Sequence, residues 1–372
     1  MGVKVPRVRS GRWRCAGDCV ELRCSVSQCA EGGGLWIWFL DPTDARWQAL
    51  LAHPQACSFH HPAWMRLLQE SYGYRPFVAA VPDGDGGVRA GLPIMEVHSV
   101  LTGRRWVALP FSDYCYPLAV DGAALEALTE GLVSQCTRRG APCLEVRASL
   151  AHDGARAEST CLWHRIPLDD EASTWRRVAR MHKGNTRQAE RQGVSVVART
   201  DLQAMHAFYH LHTITRRRHG VPVQPWDFFA RLATLLATGY GFIALAMKDG
   251  QCVAAGVFLH WGETLIFKYA ASDPERLELR PNNLIYAYAL RWGCQNGYRY
   301  LDLGKTEVGQ DGLCAFKRRW GAQEEPLIYS YVGGEQSRGM SAWLSKGMGM
   351  VIRHTPAWVC RASGALLYRH FG

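Results

Sequence analysis

From Trp38 onward the hydrophobic positions fall into short runs of two periods, 3.6 and 2.0, which predict alternating helices and strands. DPTDARWQALLAH and HPAWMRLLQESYG have helical spacing, and Asp41 and Pro42 lead the first as cap and first-turn proline. RPFVAAV (75–81), a DGDGG turn (83–87) and VRAGLPIMEV (88–97) predict a hairpin. WVALP (106–110) adds a strand, ALEALTEGLVSQCTRRG (124–140) an amphipathic helix, and CLEVRAS (143–149) another strand.

A second series begins at IPLDD (166–170) and repeats the plan. Helices are predicted over 173–193, 201–220 and, after a Pro-bearing loop (VPVQP), from Trp226. GFIALAM (241–247) and VAAGVFLHW (253–261) flank a KDGQ turn, and ETLIFKYAASD (263–273) extends the sheet. A helix over 282–297 and a strand over 298–304 complete a strand–helix–strand crossover. LIYSYV (327–332) predicts a last strand, and the tail from 341 onward reads as helical.

Residues 1–37 show neither period and read as a poorly ordered extension. The pattern therefore divides the chain into that extension, an N-terminal unit (38–165), a C-terminal unit (166–332) and a short helical tail (333–372). Two domains also suit a length of 372 residues.

Composition narrows the class. At 48% hydrophobic and 20% charged residues the chain is that of a folded protein. Its formal charge of +10 favours anionic partners. The best apolar run, LWIWFL (35–40), is far short of the ~20 residues that cross a bilayer, so a cytoplasmic location is expected. Nine of the thirteen cysteines are scattered singly and read as reduced, buried small hydrophobes. The other four, Cys15, Cys19, Cys24 and Cys29, lack the C-x2-C pairs of common zinc sites. His206 and His210 stand four apart, but with no carboxylate or cysteine at matching spacing. No metal site is expected.

The clearest signal from spacing is basic. Arg176, Arg180, Lys183, Arg187 and Arg191 recur at steps of four, three, four and four, which puts them on one face of a helix. Such a stripe is either a solvated face or a grip for phosphate. Arg216, Arg217, Arg218 and His219 in the next loop add to the second reading, since arginine suits bidentate phosphate contacts.

The series YAASD (269–273), RPNNLIYAYALRWGCQNGYRYLDLG (280–304) and GLCAFKRRWGA (312–322) resembles the second half of Fem-type enzymes of the GNAT acyltransferase superfamily. TRRRHGVP (215–222), FHHPAW (59–64) and LPFSDY (109–114) extend the resemblance to roughly residues 40 to 332. It implies an α/β fold of two tandem GNAT-like domains, each a mixed central sheet flanked by helices. It further implies acyl or aminoacyl transfer to an amine on a phosphorylated or nucleotide-linked precursor, plausibly of the cell envelope, as in the peptidoglycan-bridge transferases. No permanently bound cofactor is expected; the acyl donor would be an aminoacyl-tRNA or an acyl-coenzyme A.

The resemblance assigns Lys317 to the transferred carbonyl and makes Phe316 a wall that excludes water. From spacing alone, Lys317 reads first as part of a solvated Lys-Arg-Arg face, and the resemblance reverses that preference. Asp302, near the end of an apolar strand and before Gly304, reads as a proton acceptor facing a cleft or as a turn cap. Tyr269 and Asp273 are candidates for orienting substrate, although Tyr269 reads as well as core. Coenzyme-A-binding relatives carry a glycine-rich loop at a helix N-terminus; here that place reads RPNNLIY, where Arg280, Asn282 and Asn283 would meet an anion. The tail mixes aromatics with Lys346, Arg353, Arg361 and Arg369, a composition suited to a membrane surface or to packing on its own domain. A non-catalytic RNA-binding protein on the same fold is the rival from another class.

Overall fold

The computed structural model describes residues 37–99, 103–138, 141–333, 349 and 352–370. The four N-terminal cysteines, Lys346 and the start of the predicted tail helix lie outside the described residues. The described part belongs to one compact unit.

The strands are β1 (Trp38–Leu40), β2 (Arg75–Pro82), β3 (Val88–Ser99), β4 (Gly103–Val107), β5 (Leu118–Ala119), β6 (Cys143–Val146), β7 (Ala155–Pro167), β8 (Ser195–Arg199), β9 (Gly241–Lys248), β10 (Gln251–Trp261), β11 (Thr264–Ser272), β12 (Tyr300–Glu307) and β13 (Gln323–Val332). The helices are α1 (Ala45–Leu50), α2 (Pro62–Tyr72), α3 (Gly122–Cys136), α4 (Glu171–Arg177), α5 (Arg180–Arg191), α6 (Leu202–His219), α7 (Trp226–Leu235), α8 (Pro281–Gln295), α9 (Asp311–Arg319) and α10 (Ala357–Leu367).

All the strands join one sheet in the order β1-β2-β3-β4-β6-β13-β7-β12-β11-β10-β9-β8, with β5 beside β3. The two predicted units are thus two halves of a continuous sheet, and they exchange strands. β7 runs unbroken through the expected boundary at 165/166 and pairs with β12 of the second half. β13, from the end of the second half, pairs with β6 of the first. Each half is mixed: β4 runs parallel to β6, and β11 parallel to β12.

Period-two alternation positions the core. In β9, Ile243 and Leu245 face one cluster, which also holds Phe208, Phe228 and Phe229 of α6 and α7. Phe242, Ala244 and Ala246 face the other, which holds Leu284, Ile285 and Leu290 of α8. A strand buried on both faces reads as a near-continuous apolar run, as GFIALAM does. Gly241 is obligatory: a Cβ there would stand 2.0 Å from the Phe258 carbonyl oxygen, so a side chain would part β9 from β10.

Two helix expectations need correction. The segment 173–193 is not one helix, because Val178 and Ala179 are extended (ψ 131° and 146°) and separate α4 from α5. Arg176 therefore leaves the stripe, and Arg180, Lys183, Arg187 and Arg191 remain on α5. Second, Arg216, Arg217, Arg218 and His219, which the predicted helix over 201–220 includes but which also read as a loop, form the last turn of α6, and Gly220 closes the helix at φ 71°. Cations in a last turn complement the helix dipole, which gives these four a structural role. Among the described residues no helix is long and apolar enough to cross a membrane.

Candidate active site

The parallel strands β11 and β12 are neighbours only through Thr264↔Tyr300, Leu265↔Leu301 and Ile266↔Asp302. Beyond Ile266, β11 continues beside β10 alone while β12 stays with β7, so a wedge opens between them. At its apex β12 bulges. Leu303 and Gly304 stand opposite the single residue His164 on β7, and Gly304 takes φ +68°. Such bulges re-aim side chains, and an L residue avoids that φ.

Three groups converge on Gly304. Asp302 Oδ1 accepts its N–H at 2.6 Å. Lys317 of α9 donates to its carbonyl at 3.0 Å and to that of Lys305 at 3.1 Å. Asp113 Oδ2 lies 2.8 Å from where a Gly304 Cβ would sit. Asp113 arrives from the first half, on the loop after β4, where Leu109 and Phe111 adopt φ 55° and 62°. Two non-glycine residues in that region mark a loop held by its surroundings. Tyr329 of β13 anchors the loop by donating to the Asp113 carbonyl at 2.6 Å. Lys268, on β11 just past the parting of the strands, places its ammonium 3.8 Å from Asp113 Oδ2 and 5.1 Å from the Phe59 ring centroid.

Burial sets the ionisation of this cluster. Asp302 is wholly enclosed, and its Oδ2 has no hydrogen-bond partner among the described residues. Burial lifts its carboxyl to about 6, opposed by the Gly304 N–H and reinforced by the charge of Asp113. Burial lowers the Lys317 ammonium to about 8, opposed by Asp113 and Asp302. Lys268 is lowered too, first by burial, with Asp113 working against it. Carboxylates and ammoniums with pKa values displaced toward neutrality characterise sites that move protons.

The expected site residues fall into three groups. Lys317 and Asp302 come together as anticipated, but Asp302 is sealed from solvent. The carboxylate that reaches the wedge is Asp113, whose side chain is 20% exposed. Asp302 instead holds the bulge by accepting from Gly304 N, which fits its reading as a turn cap and not as a carboxylate facing a cleft. Phe316 points away from Lys317, as consecutive helical residues must. Its ring meets His182 at 4.8 Å and Tyr286 at 5.2 Å, so it packs between α5, α8 and α9 rather than walling the ammonium.

A second group is structurally occupied. Asn283 is buried and bonds His182 Nδ1 at 2.9 Å, while His182 Nε2 meets the Phe316 carbonyl; its amide is spent on packing. Asp273 caps the turn at 274–279 by accepting from Glu275 N. Tyr269 packs among Phe208, His212, Phe228 and Phe229, and its hydroxyl is buried. Arg216 binds the Pro222 carbonyl and the Tyr368 hydroxyl near α10. Arg217 buries its Nε, and the exposed His219 receives Arg353 on its backbone carbonyl.

The third group faces solvent. Arg187 and Arg191 are exposed on α5, as is Arg180, and none has an ion pair among the described residues. Lys183 is half-buried and bonds the Arg176 carbonyl across the helix break. Arg280 is exposed at φ 56° before α8, with Asn282 half-buried behind it.

Asp113 and Lys268 were missed in the sequence. The LPFSDY run (109–114) was visible there, but nothing in it says that its aspartate meets a strand of the other half. A lysine inside the otherwise apolar IFKYAA was the available signal for the other.

Gly304→Ala tests the convergence. The backbone alone would cost about 1–2 kcal/mol, and the new methyl group would press on Asp113. The expected result is a modest fall in melting temperature with a larger fall in any turnover. Unaltered turnover would detach the bulge from the chemistry.

Comparison with known proteins bears on the fold. The family described as "Acetyltransferase (GNAT) domain" matches residues 176–318. A UDP-N-acetylmuramoylpentapeptide-lysine N(6)-alanyltransferase of Weissella viridescens is 23% identical over 137 residues, which cover 36% of this chain and 40% of the relative. The chain thus spans well under half the length of that relative in the match. Among solved structures, FemX superposes with TM-score 0.64 at 14% identity, covering 79% of this chain and 96% of FemX. L-PGS from Bacillus licheniformis gives 0.51 at 14% identity, covering 84% and 97%. The second half of the chain thus matches a GNAT acetyltransferase domain, and the chain as a whole shares its fold with FemX.

Proposed function

We propose that this protein transfers an aminoacyl group from a tRNA ester to an amine on a phosphate-bearing cell-envelope precursor. The observation that carries the reading is the meeting of Asp113, Lys317 and Lys268 where β11 and β12 part. A neutral acceptor amine attacks the ester carbonyl carbon and a tetrahedral oxyanion forms. Asp113 takes the ammonium proton, directly or through water. The buried ammoniums of Lys317 and Lys268 offset the oxyanion in a medium of low dielectric. The C–O bond to the tRNA then breaks, and Asp113 passes the proton it took, directly or through water, to the departing ribose oxygen, which leaves as a hydroxyl. Asp302 fixes Gly304 and holds the local charge balance without touching substrate.

The start of α8 favours a tRNA ester over acyl-coenzyme A. Pyrophosphate is held by free backbone N–H groups at a helix N-terminus. Here Pro281 has none, the N–H of Asn283 is bonded to the Arg280 carbonyl, and the Asn283 side chain is committed to His182. The solvent-facing cations of α5 supply the phosphate contacts, to the precursor or to the tRNA.

Donor and acceptor are tested together by incubating the full chain with labelled aminoacyl-tRNAs or acyl-coenzyme A and a nucleotide-linked peptidoglycan precursor. Transfer from charged tRNA alone is the expected result. Transfer from acyl-coenzyme A alone would overturn the donor, and RNA binding with no transfer from either would favour the non-catalytic reading. In the same system Arg180→Ser/Arg187→Ser should weaken phosphate-dependent binding. It should also lower the slope of log affinity against log salt by about one per charge removed; an unchanged slope would return the stripe to a merely solvated face.

A further inference from the structure

We infer that His164, Cys314 and Glu324 form a binding site for a zinc-class divalent cation behind the bulge of β12. The inference is independent of the acyl-transfer reading. The three residues come from β7, α9 and β13, and one ligand atom from each lies within 4.8 Å of the others. His164 and Glu324 are direct cross-strand partners, with Nδ1 and Oε1 3.5 Å apart. Ligands of a tetrahedral zinc stand about 3.3–3.8 Å apart, given bonds of about 2.0–2.3 Å. That pair is therefore already at the spacing, and the Cys314 sulfur needs only a small approach.

The second observation is a set of orphaned polar atoms in the same place. The His164 side chain is wholly buried, yet neither ring nitrogen has a hydrogen-bond partner among the described residues, and neither does Glu324 Oε1. Buried polar groups are paired in the great majority of cases, and three left over together point to a missing ligand. An ion would take Oε1 and one ring nitrogen. Imidazole, thiolate and carboxylate form a donor set suited to zinc, with a fourth position left for water.

Charge does not forbid it. Arg318 bonds the other Glu324 oxygen at 3.1 Å, and Lys317 lies one helical turn from Cys314. On binding, the Cys314 thiol gives its proton to solvent, so thiolate and carboxylate together neutralise the ion. Glu324, 19% exposed, gives the entry path. The ion would tie α9 to β7 and β13 and so fix the helix that carries Lys317. Sequence spacing could not reveal the site, because the three ligands share no motif and come from a helix and from two strands, β7 and β13, whose pairing crosses the expected boundary between the halves.

The test is titration of the chelator-treated full chain with cobalt(II), whose thiolate charge-transfer absorption reports a sulfur ligand. The structure predicts one tightly held ion per chain, displaced by zinc, and a higher melting temperature with zinc present. Cys314→Ser should abolish the absorption and the zinc-dependent rise, whereas replacing Cys15, Cys19, Cys24 and Cys29 with serine should leave both. Absorption that persists in Cys314→Ser, or no binding by the parent chain, would overturn the inference. Should Cys314→Ser fail to fold, Glu324→Gln decides: affinity lowered more than about tenfold supports the site, and unchanged affinity overturns it.

Discussion

Replacing Lys317 with methionine is expected to lower the rate of acyl transfer by about 10²–10³-fold, equivalent to about 3–4 kcal/mol of transition-state stabilisation, while the protein stays folded. The fold survives because two opposing effects nearly cancel. The ammonium is held at about 8 against an ordinary 10.5, so keeping it charged and buried at neutral pH costs about 3 kcal/mol, which methionine relieves. Against this, the carbonyls of Gly304 and Lys305 lose their donor, at about 1–3 kcal/mol each way of counting. Circular dichroism and a melting curve check the fold, and single-turnover transfer checks the rate. A folded variant with parental turnover would make Lys317 a strut for the bulge and nothing more.

The second large effect concerns stability and pH. A buried carboxyl at about 6 remains protonated in the folded state while the unfolded chain ionises near 3.8. Below 3.8 both states hold the proton and no penalty exists. Between 3.8 and 6 the unfolded state is the more ionised, so stability falls as pH rises; above 6 the loss is complete at about 3 kcal/mol. Asp302→Asn removes this slope and keeps an oxygen to accept from Gly304. The difference in unfolding free energy between parent and variant should therefore grow in the variant's favour from pH 4 to 6 and stay level above. A constant difference across that range would mean that Asp302 is not held protonated by burial.

Much of this organisation was legible because it is local. Strands such as GFIALAM announce burial on both faces by composition. The steps of Arg180, Lys183, Arg187 and Arg191 announce a shared helical face, since helical period is a property of nearby residues. The break at Val178–Ala179 was not legible, because cationic spacing continues across it unchanged. The last turn of α6 had two readings for a related reason: the RRRHG run ends the helix predicted over 201–220 and also looks like a polar loop, until Gly220 is seen to close the helix. Strand exchange was hidden altogether. Periodicity says that ARAESTCLWHRIP can be a strand, not that it will lie beside β12 of the other half.

The candidate site divides along the same line. Lys317 and Asp302 lie on consecutive elements of one half; Lys317 was found through the family resemblance and Asp302 from its place near the end of an apolar strand. Asp113 is distant in sequence, and only the route of the loop after β4 brings it to Gly304. That is also why Asp302 was assigned the exposed role: without Asp113 and Tyr114 packed over it, a carboxylate at the end of a strand reads as facing a cleft. With them in place, Tyr114 is itself buried and the Asp302 carboxyl is enclosed.

The central claim is that both halves of the sheet contribute to one reacting centre at Gly304. Its most direct test is single-turnover transfer from charged tRNA by the full chain carrying Asp113→Asn, compared with the parent at equal donor occupancy. The account predicts a rate reduced about 10²-fold with donor binding unchanged, the scale of a lost general base. An unchanged rate would contradict it and would return the proton transfer to the second half alone.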